Sequence, residues 1–193
     1  MPIKKLSSYF DVYREKSQLE NIHEMSGRAS NSRLTNFISS RILDKIKSFG
    51  VTGSLLDVGC GDGSLLLLAE KENLFTSLTG VLPTVEEVKR LDSHLNSFDR
   101  PLSNIQIIQG LASSIPLQDA SYNVLVCNGV LIYAQSHDEL RYSLRELYRL
   151  ISPGGILFIG ELPVVNESRE LDYGGSIRKW LIWTLKKHGP KLF

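Results

Sequence analysis

The chain has 193 residues, 42% of them hydrophobic, and its 22 basic side chains balance 21 acidic ones to a net charge of +1. This size suits one globular domain with a sizeable core, and the charge gives no general reason to bind nucleic acid, because phosphate-backbone binding needs a basic surplus. Two cysteines are too few for a disulfide scaffold or a zinc site, and no apolar run reaches the ~20 residues of a membrane span, so we expect a soluble cytoplasmic protein without a metal.

Two helical segments precede the first predicted strand. Residues 1–30 are polar overall, with aromatic and aliphatic side chains at loosely helical spacing, which predicts an irregular N-terminal helix. In residues 31–50, apolar side chains recur at three- and four-residue steps after Asn31 or Ser32, either of which can cap a helix, and Gly50 provides the stop. We expect this second helix to cover one face of a sheet.

The stretch LLDVGCGDG at residues 55–63 is the most informative in the chain. A short apolar strand at 54–58 contains the acid Asp57 and is followed by three glycines at alternate positions and a helix over 64–71. Glycine has no Cβ, tolerates positive φ and leaves amide groups pointing outward, so this turn predicts a nucleotide-sized pocket. The dinucleotide fingerprint has the spacing G-x-G-x-x-G and usually no acid at the strand end, which disfavours a nicotinamide dehydrogenase.

The rest of the chain alternates predicted strands with amphipathic helices. Further strands are predicted at residues 77–82, 105–108, 122–127 and 156–160. Thr84 with Glu87, and Ser136 with Glu139, stand three residues apart and predict two capped helix starts; the second helix is expected to end at the SPGG sequence of residues 152–155. Because parallel neighbours need crossover connections, which are usually helical, the predicted fold class is a doubly wound parallel α/β sheet.

The glycine stretch, together with Gly80, the SIPL sequence at 114–117 and the PGG sequence at 153–155, resembles the class I S-adenosylmethionine-dependent methyltransferases. The resemblance implies a Rossmann-like methyltransferase fold, of the small-molecule methyltransferase type. The family's sheet has seven strands, and the last two have no strand-like counterpart in this chain. We therefore expect a single domain over 1–193, with a helical lid or edge segment at 1–30, a cofactor-binding core at 31–161 and a C-terminal helical segment at 162–193.

The resemblance also implies which residues bind the cofactor, S-adenosyl-L-methionine. They lie in the glycine loop and in the loops that follow the second, third and fourth strands. The predicted cofactor-binding residues are Asp57, Gly59, Cys60, Gly61, Asp62, Gly63, Leu82, Pro83, Gly110, Leu111, Ala112, Asn128 and Gly129.

Two of these positions depart from the family's pattern. Leu82 stands where the family normally has the acid that takes the ribose hydroxyls, and Leu111 stands where it commonly has the acid that meets the adenine amino group. A hydrogen bond to a charged group contributes roughly 1.5 to 3 kcal/mol, so the two losses together weaken binding by roughly two to four orders of magnitude if nothing replaces them. Glu86 and Glu87 are candidates to replace the ribose acid.

The loop after the fourth strand matches the family region beside the transferring methyl group. Asn128 and Tyr133 are the candidates there, and His137 is a candidate base for an oxygen nucleophile. The first hypothesis is in-line methyl transfer from S-adenosylmethionine to a small-molecule acceptor. The alternative is a catalytically silent binding or scaffold protein that has lost both carboxylates; homodimerisation is left open.

Overall fold

The computed structural model describes residues 22, 32–134 and 136–162. The chain separates into two units, Met1–Glu161 and Leu162–Phe193. The predicted lid or edge segment at 1–30 lies outside the described residues apart from Ile22, which packs against the main core cluster. The predicted C-terminal helical segment lies outside them too, apart from Leu162, so both stay predictions, as does the division into segments.

The described residues form a five-stranded sheet with helices between its strands. In chain order the elements are α1 (Ser32–Lys47), β1 (Gly53–Val58), α2 (Ser64–Lys71), β2 (Phe75–Leu82), α3 (Val85–Asn96), β3 (Ile105–Gln109), β4 (Tyr122–Asn128), the 3₁₀ helix η1 (Leu131–Tyr133), α4 (His137–Leu150) and β5 (Ile151–Gly160).

The sheet order is β3-β2-β1-β4-β5, and all four pairings are parallel. The direction of strand progression reverses between β1 and β4, which creates a crevice at the carboxyl ends of these strands. The predicted doubly wound parallel α/β sheet is therefore confirmed. Among the described strands β5 stands at one edge.

Alternate residues of the central strands belong to two core clusters. Leu55 of β1 packs in the cluster that contains residues of α1, α2 and α3, whereas Leu56 packs in the cluster that contains Leu147 and Leu150 of α4. All four leucines are at most 1% exposed, as strands buried on both faces require. The sheet thus separates two core clusters, and the loops that follow its strands lie at its carboxyl edge.

Both predicted helix caps are present. The Thr84 hydroxyl oxygen accepts a hydrogen bond from the Glu87 amide at 3.2 Å, and the Ser136 hydroxyl oxygen accepts one from the Glu139 amide at 3.1 Å. Each cap satisfies an amide that has no partner within its own helix. These caps fix where α3 and α4 leave the sheet edge.

The prediction for the last strand was wrong at its start. The SPGG sequence does not separate α4 from the strand, because β5 begins at Ile151, directly after the last helical residue. Ile151 pairs with Tyr122, and pairing resumes between Ile156 and Val124, so residues 152–155 are looped out of the register. The two-residue step on β4 faces a five-residue step on β5, and this accommodates the proline and glycines without ending the strand.

Candidate active site

A cavity of about 190 Å³ opens at the carboxyl ends of the central strands. Its wall comes from the glycine loop after β1, the start of the loop after β2, the loop after β4, the end of β5 and one side of α1. This is the crevice where ligands bind in open parallel α/β sheets. Of the predicted cofactor residues it collects Asp57, Gly59, Cys60, Gly61, Asp62, Leu82, Pro83, Asn128 and Gly129.

The glycine loop adopts a backbone that only glycine takes without strain. Gly59, Gly61 and Gly63 have φ angles of +74°, +55° and +74°. A Cβ at Gly59 would lie 2.2 Å from Cγ2 of Val130, so the loops after β1 and β4 touch through the bare glycine. The Gly59 amide also donates to the Val81 carbonyl at 2.9 Å. The loop is therefore held by main-chain bonds and leaves backbone exposed at the cavity.

Two buried aspartates frame this loop. Asp57 is 6% exposed and Asp62 is 3% exposed. Oδ1 of Asp62 accepts hydrogen bonds from the Ser64 amide at 3.1 Å and the Ser64 hydroxyl at 2.7 Å, a turn in which an aspartate binds the backbone two residues on. Asp62 therefore shapes the loop while it lines the cavity.

Cys60 reports the charge around it. Burial raises the pKa of its thiol well above the ordinary value, and the negative charges of Asp57, Glu87 and Asp62 raise it further. The thiol is thus a small apolar group on the wall of an acidic cavity. Cys127 packs in the other core cluster, and burial, followed by the charge of Asp57, raises its pKa to about 12. Both cysteines are free.

A carboxylate is present near the end of β2 despite the leucine at position 82. Leu82 is 2% exposed and belongs to the core cluster while it lines the cavity. Glu87, in the first turns of α3, is fully buried and lines the same cavity, and its Oε2 accepts a hydrogen bond from the Thr84 hydroxyl at 2.8 Å. Of the two glutamates considered for the ribose, Glu87 is the one at the cavity, since Glu86 is exposed and does not line it.

The opposite wall of the cavity is built from side chains at the ends of β4 and β5. The Asn128 amide nitrogen donates to Oε1 of Glu161 at 3.4 Å. A Cβ at Gly160 would lie 2.0 Å from Oδ1 of Asn128, so the asparagine side chain lies directly over that glycine. Tyr133, from η1, completes this side.

Several predicted residues do not line the cavity. Gly63 caps the start of α2 and faces Leu91 of α3. Residues 110–112, which were predicted to bind the cofactor, do not line the cavity. The Gly110 amide donates to the Leu82 carbonyl at 2.9 Å, Leu111 exchanges backbone hydrogen bonds with Ser114, and Ala112 packs against the cluster on the other face of the sheet. His137 is exposed at the first position of α4. His137 does not line the cavity, and its role as a base stays a prediction.

Sequence reasoning missed one wall of the cavity. Thr35, Ile38, Ser39 and Ile42 of α1 line it, although this helix was expected only to cover the sheet. Their spacing of three, one and three residues places them on one helical face. Two hydroxyl residues within an apolar stripe were the available signal. Glu161 was also missed as a site residue, although it directly follows β5 at the carboxyl edge of the sheet, where such sheets bind ligands.

The loop after β3 is fastened from α4. Glu146 Oε1 accepts from the Ile115 amide at 2.7 Å, and Arg149 donates from Nη2 to the Ile115 carbonyl at 3.0 Å and from Nη1 to the Leu117 carbonyl at 2.8 Å. Arg149 also pairs with Glu146 through two bonds of 2.9 and 2.7 Å. The SIPL sequence is therefore a docking segment for α4.

The described residues contain neither a metal-binding cluster nor a membrane-spanning helix. Residues 22, 32–134 and 136–162 contain no group of three or more histidine, cysteine, aspartate or glutamate side chains able to hold a metal ion. The helices within those same ranges are all too short or too polar to cross a membrane.

The strand order and the glycine loop at the switch point define a Rossmann-like α/β fold. A family model described as a methyltransferase domain matches residues 56–159, which is more than half of the chain. The chain belongs to this methyltransferase family, and the resemblance to the class I S-adenosylmethionine-dependent superfamily is confirmed.

Relatives and solved structures agree on the fold. An arsenite methyltransferase from Aquipseudomonas alcaligenes is 30% identical over 146 residues, which cover 69% of this chain but 41% of the relative. The N-methyltransferase NodS from Bradyrhizobium japonicum, solved with S-adenosyl-L-homocysteine, superposes with a TM-score of 0.64 at 15% identity, over 79% of this chain and 72% of NodS. The [4+2]-cyclase SpnF superposes with a TM-score of 0.57 at 26% identity, over 69% of this chain and 47% of SpnF.

The chain thus spans less than half the length of the curated relative and of SpnF. These three proteins are named for different reactions, so the shared fold does not decide which reaction this chain performs.

Proposed function

We propose that this chain binds S-adenosyl-L-methionine in the cavity at the carboxyl edge of the sheet and is a methyltransferase for a small-molecule acceptor. The observation that carries the proposal is the glycine loop. Gly59 and Gly61, both with positive φ, expose main chain to the cavity, and Gly59 is in contact with the neighbouring loop where any Cβ would clash. A cradle of this kind suits a ligand that lies flat against the backbone.

The charge of the cavity supports the same ligand. Asp57, Asp62, Glu87 and Glu161 line it, and no lysine, arginine or histidine does so within the described ranges. S-adenosylmethionine is a cation overall, with an ammonium and a sulfonium group against one carboxylate. An acidic, partly buried cleft attracts such a ligand and disfavours an anionic one, such as a dinucleotide.

Each region of the wall has a proposed task. Asp57 would bind the ammonium group at the methionine end, and the backbone of 59–61 would pass under the ribose. Glu87 would accept hydrogen bonds from the ribose hydroxyls in place of the family's acid, whose position is occupied here by Leu82. When bound, S-adenosylmethionine supplies a methyl carbon on a sulfonium, whose departure leaves a neutral thioether. Asn128 and Tyr133 would then align an acceptor with that carbon and exclude water, which can suffice without a catalytic base.

Calorimetric titration with S-adenosylmethionine and S-adenosylhomocysteine tests the cofactor proposal. We expect micromolar dissociation constants for the wild-type chain. Asp57→Asn should weaken binding about tenfold, because it removes the charged partner from a hydrogen bond. Asp99→Asn is the matched control, since Asp99 is exposed and lies in the loop before β3. A wild-type chain that binds neither ligand would contradict the proposal.

Turnover separates a methyltransferase from a binding protein of the same fold. We expect formation of S-adenosylhomocysteine when the chain meets a suitable member of an acceptor panel that includes amines, alcohols, thiols and arsenite. Binding without turnover on any of them would favour the silent scaffold instead.

A further inference from the structure

One pair of side chains in the cavity has no role in holding the cofactor as proposed above. Asn128 is the last residue of β4, and Glu161 directly follows the adjacent strand β5. Nδ2 of Asn128 lies 3.4 Å from Oε1 of Glu161. We infer that this pair is the acceptor-binding element of the cavity and that its ligand is an amine, whose N–H group or positive charge Glu161 receives. The inference rests on the proposed function and deepens it.

The sheet order separates Glu161 from the cofactor cradle. The glycine loop follows β1, whereas Glu161 follows β5, which lies two strands away across β4. Neighbouring strands are about 4.8 Å apart, so the end of β5 lies roughly 10 Å from the end of β1. Both ends nevertheless line one cavity. A ligand cradled at Gly59 therefore leaves the β4 and β5 side for a second molecule.

The backbone at this corner is arranged around the two side chains. Gly160 has no Cβ, and only for that reason can the Asn128 amide lie over it, because a Cβ would be 2.0 Å from Oδ1. Glu161 has a φ angle of +55°, an uncommon conformation for a residue with a long side chain.

The donor and acceptor groups decide the chemical class. Asn128 donates its N–H to Glu161, and both the asparagine carbonyl oxygen and the glutamate carboxylate are groups that accept hydrogen bonds. Such groups suit a ligand that donates N–H bonds or carries positive charge. A carboxylate or phosphate acceptor would meet the charges of Glu161 and Asp57 in the same cavity and would be repelled.

The reaction balances with an amine. The nitrogen lone pair of a neutral amine forms the new N–C bond, while the bond between the methyl carbon and the sulfonium breaks and its electron pair stays on sulfur. The positive charge thus moves from sulfur to nitrogen, and the new ammonium then loses a proton to water. A carboxylate at Glu161 stabilises the charge where it arrives.

Sinefungin provides the test, because it carries an amino group where S-adenosylmethionine carries the transferring methyl. We expect the wild-type chain to bind sinefungin about tenfold more tightly than S-adenosylhomocysteine. Glu161→Gln should abolish that preference while its affinity for S-adenosylhomocysteine stays within about threefold of wild type. Retained binding of S-adenosylhomocysteine, which lacks the extra amino group, also shows that the variant is folded.

A second variant and a control complete the test. Asn128→Ala removes the group that holds Glu161, and it should reduce the preference for sinefungin in part. Glu86→Gln, at an exposed glutamate of α3, should leave all affinities unchanged. A Glu161→Gln chain that keeps the full preference for sinefungin would overturn the inference and leave the proposed function standing. If the wild-type chain binds neither S-adenosylmethionine, S-adenosylhomocysteine nor sinefungin, the proposed function is contradicted and the inference that rests on it is contradicted too.

Discussion

The loop after β1 and the loop after β3 were both predicted to hold the cofactor, but they are built in different ways. The β1 loop is fixed by its own backbone, with three positive φ angles and a hydrogen bond from a main-chain amide to the neighbouring strand. The β3 loop contains the SIPL segment, whose backbone is fixed by side chains of α4 that come 31 to 34 residues later in the chain.

The difference separates local from distant encoding. A loop whose shape follows from its own glycines can be recognised in a short stretch of sequence. A loop held by Glu146 and Arg149 depends on contacts that form only when α4 docks on the sheet. The β1 loop is therefore sensitive to any side chain added at its glycines, whereas the β3 loop is sensitive to the loss of one charged side chain on α4.

The largest effect is expected from adding one methyl group to the β1 loop. Gly59→Ala places a Cβ 2.2 Å from Cγ2 of Val130 in a conformation that non-glycine residues avoid. We expect affinity for S-adenosylmethionine to fall at least about 100-fold, equal to about 2.8 kcal/mol, measured by calorimetry. The double variant Gly59→Ala with Val130→Ala removes the clash but keeps the strained φ, so it should recover part of the loss.

Gly50→Ala is the matched control for this variant. Gly50 has a similar φ of +67°, but nothing lies within 4 Å of its would-be Cβ. It should cost about 1 kcal/mol of stability through strain alone and leave ligand binding unchanged. If Gly59→Ala binds as tightly as Gly50→Ala, the close approach at the β1 loop is not needed for the ligand.

The same contrast explains which parts of the molecule the sequence predicted. The glycine loop and the caps at Thr84 and Ser136 follow from residues within a few positions of one another, and the structure has each of them. The doubly wound parallel sheet followed from the alternation of strands and helices, because parallel neighbours need crossover connections.

What the sequence did not predict depends on residues far apart in the chain. The start of β5 was placed too late, since proline and glycine normally end an element and only pairing with Tyr122 shows that the strand continues. The contribution of α1 to the cavity depends on how that helix lies on the sheet. Which of the two candidates, Glu86 or Glu87, reaches the cavity depends on how α3 packs beside the end of β2.

A smaller effect is expected from removing the charge that holds the β3 loop. Arg149→Met deletes the bonds to the Ile115 and Leu117 carbonyls and leaves Glu146, whose side chain is 15% exposed, without its cation. We expect a loss of about 2 kcal/mol in the free energy of unfolding, measured in urea, because Arg149 is itself partly exposed. Exchange of the Ile115 amide hydrogen should accelerate.

Arg145→Met is the control for that variant. Arg145 lies on the exposed face of the same helix, and its replacement should change stability by no more than about 0.5 kcal/mol. Equal stability of the two variants would mean that the β3 loop holds its shape without α4, and the contrast between the two loops would disappear.

The smallest effect expected is a change in how stability depends on pH. The bond from Arg149, and next the bond from the Ile115 amide, hold the pKa of Glu146 below its ordinary value of 4.5, against the opposing effect of burial. A carboxyl group whose pKa is lower in the folded state than in the unfolded state stabilises the fold fully at pH values above its unfolded-state pKa. This stabilisation is lost as the pH falls through its folded-state pKa. Glu146→Gln should therefore cost more unfolding free energy at pH 7 than at pH 3.5, measured by urea titration at both. An equal cost at the two pH values would show that Glu146 holds the β3 loop through its shape and hydrogen bonds, with no contribution from its charge.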